Sequence, residues 1–129
     1  MLKDLSLAAK SACSREDQLL LVPLVIQLKE LAEKSKKSGL LSLENELSQI
    51  SDPFLKLGVQ LIIDKTDPAN MKDILDSDIY YNESNGRELL KKIILREGLL
   101  RIQEGDTPRN VLICTKIFLG KVDNDIWRS

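Results

Sequence analysis

Few residues in this chain are of the types and spacings that do chemistry, and those few argue against catalysis. Glu44 and Glu46 stand two apart in LLSLENELSQ, a spacing that sends them to different sides of a helix and does not make a catalytic carboxylate pair. There is no histidine, so the usual general base near neutral pH and the commonest zinc ligand are both missing. No enzymatic activity, metal site or cofactor is expected. Cys13 and Cys114 lie outside any CxxC spacing and read as reduced thiols, Cys114 as a small core residue within an apolar run. Gly39, Gly58, Gly98 and Gly105 match no phosphate-loop or dinucleotide spacing. Helix caps at Gly39 and Gly105, and close helix contacts at Gly58 and Gly98, account for them. The run Lys34, Lys36 and Lys37 suits a solvated helix end, where positive charge complements the macrodipole.

The elements that must hold these residues follow from length and pattern. A chain of 129 residues, 43% hydrophobic and 30% charged, fits one folded domain. A net charge of −1 gives no general field toward nucleic acid or anionic lipid, so electrostatic recognition must be local. The uncharged run from Gln18 to Leu28 is about half of the ~20 residues that a membrane span needs. Asp4 interrupts the N-terminus, which does not read as a signal peptide.

No strand alternation appears, and the expected fold is all-α: a compact bundle of about five to six helices, one long near the N-terminus and several short. Residues 1–13 form a short helix carrying Leu2, Leu5 and Leu7. Ser14 with Asp17 starts one long amphipathic helix to Lys37, with Pro23 as the place for a kink. Gly39 ends it in a left-handed conformation, and a short helix runs from Leu40 to Ile50. Asp52-Pro53, Asp67-Pro68 and Thr107-Pro108 each put a capping side chain before a proline suited to the first helical position. The helix from Pro53 to Lys65 is apolar all round and should be the central, most buried one. The next packs by a stripe of Met71, Ile74, Leu75 and Ile79. After the Asn85-Gly86 turn, a helix from Arg87 to Glu104 packs from two sides. A last helix carries Val111, Leu112, Ile117, Phe118 and Leu119, followed by a tail in which Trp127 either anchors on the bundle or lies exposed.

Two blocks carry a resemblance. LKELAEKSKKSGLLSLENELSQISDPF, continuing through TDPANMKDILDSDI, resembles the cytoplasmic segment between the second and third membrane helices of MotA, the ion-channel-forming stator subunit of the bacterial flagellar motor. REGLLRIQEGDTPRNVLICTKIFL is similar to the segment after its fourth membrane helix. Together they cover roughly three fifths of the chain. The domain then reads as one helical unit over 1–129, built from blocks at about 1–79 and 87–119 joined by a linker at 80–86. YYNESNGRELL stands where the family has a membrane hairpin. Either the membrane part has been excised and the cytoplasmic pieces joined, or the chain is a membrane-free relative. In both cases this polypeptide alone conducts no ions.

The resemblance implies a cytoplasmic module that transmits torque by electrostatic contact with the rotor protein FliG. In the full-length parent it would lie at the cytoplasmic face of the inner membrane, with MotB and other MotA copies as partners and neither nucleic acid nor a small-molecule substrate. The family's rotor-contacting positions fall on Lys36 and Glu44, with Lys34, Lys37 and Glu46 as further rim residues. Lys36 departs from the arginine of well-studied members, keeping the charge but not the bidentate fork. The alternative is a generic helical adaptor without a motility role. The MotA relatives ExbB and TolQ fit the TDP and EGDTP motifs less well.

Overall fold

Local capping chemistry sets most helix boundaries. The computed structural model describes residues 5–120; Leu2, Trp127 and the tail after Gly120 lie outside them. Ser14 Oγ accepts from the Asp17 N–H at 3.1 Å, Asp52 from Leu55 at 2.9 Å, Asp67 from Ala69 and Asn70 at 3.1 and 3.3 Å, and Thr107 from Asn110 at 3.2 Å. Each bond satisfies an amide that has no partner within its helix. The last three caps are the Asp-Pro and Thr-Pro starts read from the sequence.

The elements among the described residues are all helices: α1 (Leu5–Lys10), α2 (Arg15–Leu20), α3 (Val22–Ser38), a 3-10 helix (Leu40–Gln49), α4 (Pro53–Ile63), α5 (Pro68–Tyr81), α6 (Gly86–Gln103), α7 (Pro108–Lys116) and a closing 3-10 turn (Ile117–Leu119). The long helix expected from Ser14 is two helices, divided at Leu21. Pro23 has no N–H to return to the preceding turn, and the Leu24 and Val25 amides instead cap onto the Leu21 carbonyl at 3.1 and 3.3 Å. The short helix expected within residues 1–13 is α1, Leu5–Lys10 among the described residues.

The centre is shared by α6 and α3, each packed against four other elements, and not by the helix after Pro53. Helix α6 packs against α3, α4, α5 and α7 and buries Leu89, Leu90, Ile94, Leu95, Leu99 and Ile102, whereas α4 packs against the 3-10 helix, α6 and α5. Helices on both sides of residues 80–86 therefore share one apolar core. Glycines allow the closest approaches: a Cβ on Gly58 would stand 2.2 Å from Leu99 Cδ1, and one on Gly98 2.6 Å from Leu28 Cδ1. Those contacts bring α4 and α3 onto α6 at short range.

The apolar stripes end differently from their sequence pattern. Ile74 and Ile117 are exposed, while Met71, Leu75 and Ile79 of α5 and Val111 and Leu119 are buried. Cys114 is half-buried outside the apolar cluster and not a core residue; Cys13 packs against that cluster. Burial, with Asp17 nearby, pushes the Cys13 thiol above its ordinary pKa.

Candidate functional site

The Lys34–Glu46 corner is built by how α3 stops. Its last amide link runs from Gly39 N–H to the Ser35 carbonyl at 2.8 Å. Gly39 then takes φ 87 and ψ 161. This is a positive-φ conformation, as expected, but extended in ψ and not the left-handed helical one, and it is open essentially to glycine alone. It turns the chain back so that the next ten residues pack beside α3 and α4. They wind as a 3-10 helix, anchored by Leu43, which is completely buried, and followed by buried Ile50.

Of the five expected rim residues, the structure pairs two and leaves three exposed or unpaired. Lys34 and Glu46 form an ion pair with each other across α3 and the 3-10 helix, 12 residues apart in sequence. Lys36, Lys37 and Glu44 are exposed, and none of them forms an ion pair among the described residues. Below the Lys34–Glu46 pair lies a groove of about 270 Å³ lined by Gln27, Glu30, Leu31 and Gln49 with the pair itself.

The second half of the chain reaches this corner too. Lys36 Nζ is 3.9 Å from where a Cβ on Gly105 would stand, so the turn between α6 and α7 borders the end of α3. Gly105 closes α6 with φ 80 and with bonds from Gly105 N–H to Ile102 and from Asp106 N–H to Arg101, a glycine C-cap. Asp106, the adjacent carboxylate, is already committed: Oδ1 accepts from Asn110 Nδ2 at 3.0 Å and from the Thr107 N–H at 2.9 Å, and Arg101 lies 3.5 Å from Oδ2. The Asn110 bond first, then the Thr107 amide and Arg101, hold its carboxyl below the usual range despite some desolvation. Lys36 forms no ion pair with Asp106 or with any other carboxylate among the described residues.

A second charged region was not anticipated. At the seam where α6 meets α4 and α5, Lys91 binds Asp52 at 2.5 Å and Glu88 at 2.8 Å, and Arg96 pairs with Asp76. Lys92 sits 2.7 Å from Asp78 Oδ1 and 5.9 Å from the centre of the Phe54 ring. No donor is aligned on that oxygen as a hydrogen bond, so its attraction to Lys92 is electrostatic. Burial opposes the charge on Lys91, but hydrogen bonds and charges from Asp52 and Glu88 outweigh it and raise its pKa above the ordinary lysine value. The available signal was three cations, 91, 92 and 96, spaced along one helix that follows the acidic run of Asp73, Asp76 and Asp78.

Neither a protein-family model nor a solved structure matches the chain. Curated sequences do. The chain is 48% identical over 54 residues to motility protein A of Borreliella burgdorferi, which covers 42% of this chain and 21% of that protein. It is 42% identical over 52 residues to motility protein A of Helicobacter pylori, covering 40% and 20%. An uncharacterised Bacillus subtilis protein, YtxD, is 40% identical over 58 residues, covering 45% and 21%. The chain thus spans about a fifth of the length of these relatives, and the matching stretch is related to motility protein A. Among the described residues, no helix is long and apolar enough to cross a membrane.

Proposed function

We propose that this chain is the cytoplasmic module of a flagellar stator subunit and that the corner after α3 is its contact with the rotor protein FliG. The observation that carries the reading is the exposure of Lys36 and Glu44 on either side of Gly39, without ion pairs among the described residues, in a chain with a stretch related to motility protein A. In this reading, ion flow through a membrane part, assembled with MotB and further copies of the subunit, moves the module at the cytoplasmic face of the inner membrane. Lys36 and Glu44 then push on charges of opposite sign. Exposed pairs of this kind are worth only about 0–1 kcal/mol each, so they set register and release at every step. No catalytic step and no cofactor belong to this role.

The test is charge reversal in the full-length parent. Lys36→Glu and Glu44→Lys should each impair swimming while the domain still folds. Unimpaired swimming in both variants would remove the site. A generic adaptor without a motility role would show no retention of FliG in a pull-down on the purified chain.

A further inference from the structure

Lys34 and Glu46 are the two expected rim residues that the fold turns inward on each other, and their place in the 3-10 helix gives that pairing a consequence. With three residues per turn, side chains three apart eclipse. Leu43 is buried and Glu46 reaches Lys34 of α3, so the line through 40, 43 and 46 faces the body of the protein. The neighbouring line starts with Leu41, 63% exposed, and Glu44, also exposed, before Leu47 turns back against the core. A run of ten residues is long for this winding, whose hydrogen bonds are poorer than those of an α-helix. Rewinding to 3.6 residues per turn would rotate Glu44 about 60° away from Leu41.

We propose that Lys34 and Glu46 are positioning residues: their ion pair, together with Leu43, fixes the rotation of the 3-10 helix and thereby presents Leu41 and Glu44 in one line. This rests on the rotor-contact reading above. It assigns Lys34 and Glu46 no contact of their own with the partner. The surface presented is an exposed leucine and an exposed carboxylate three residues apart on one line of the 3-10 helix. It fits a protein surface that offers an apolar residue and a cation at matching spacing.

Two measurements on the full chain test it. In Lys34→Ala and in Glu46→Ala, amide hydrogen exchange at residues 43–49 should quicken about fivefold while the α6 amides stay unchanged, as for loss of a partly exposed ion pair that holds a local segment. Affinity for purified FliG should fall about three- to fivefold in the same variants. The exchanged pair, Lys34→Glu with Glu46→Lys, should restore both readings, because only the link matters. Unchanged exchange in the single variants would overturn the proposal. So would an exchanged pair that binds FliG as weakly as the single variants, since that marks direct contact. Failure of the rotor-contact reading is separately visible: Lys36→Glu and Glu44→Lys would leave FliG affinity unchanged whatever the exchange rates show.

Discussion

The seam along α6 and the corner after α3 use the same residue types for opposite purposes. At the seam, the Lys91 and Asp52 side chains are 15% and 12% exposed; Lys91 lies against the Asp52 cap of α4, and Lys92 and Arg96 against Asp78 and Asp76 of α5. At the corner, the pair that does form is wetter, with Lys34 36% and Glu46 25% exposed, and Lys36, Lys37 and Glu44 point to solvent. Removing one partner of a half-buried pair strands a charge away from water. Removing one exposed charge loses little. Charge at the seam therefore locks helices, whereas Lys36, Lys37 and Glu44 at the corner hold no ion pair among the described residues.

The largest effect should come from the seam. Arg96→Ala removes the ion pair to Asp76 and the buried stem of the arginine and should cost about 2–3 kcal/mol in urea unfolding. Asp52→Ala loses the cap of α4 together with the main partner of Lys91 and should cost about 2 kcal/mol by the same measurement. In contrast, Asp67→Ala, an exposed cap, should cost about 1 kcal/mol. A seam mutant as mild as a surface one would erase the distinction between the two regions.

Two titrations sharpen it. Lys91 has a raised pKa when folded, so its contribution is complete below the unfolded lysine value of about 10.4 and is lost as pH rises through the folded value. Urea midpoints should therefore drop on the alkaline side, and Lys91→Met should flatten that limb. Asp106 has a lowered folded pKa, so its contribution is present above about 3.9 and is lost as pH falls through the folded value. Asp106→Asn should flatten the acid limb instead. The smallest change belongs to the rim: Lys36→Glu and Glu44→Lys should each alter stability by no more than about 0.5 kcal/mol. A larger loss would mean that these side chains hold the fold.

Helix starts were legible because they are local. A carboxylate or hydroxyl directly before proline caps the helix it opens, and Asp52, Asp67 and Thr107 all do so. Gly58 and Gly98 were legible as close contacts because a mid-helix glycine needs a reason to be there. Less could be read where two solutions cost nearly the same. A break at Leu21 and a kink at Pro23 answer the same missing amide, and LLSLENELSQ has leucines that suit either winding. Ile74 and Ile117 carry the right residue type for a core, but their exposure depends on which neighbours α5 and α7 meet.

The sequence by itself determined that this protein is helical and where its proline-led helices begin, because each of these follows from neighbours along the chain. Only the tertiary structure decided that α6 and α3 lie at the centre, that Lys34 pairs with Glu46 while Lys36 does not, and that Lys91, Lys92 and Arg96 are clamps. Those outcomes depend on which carboxylates lie within reach across helices and on how much water remains around them, and neither quantity exists until the helices have packed.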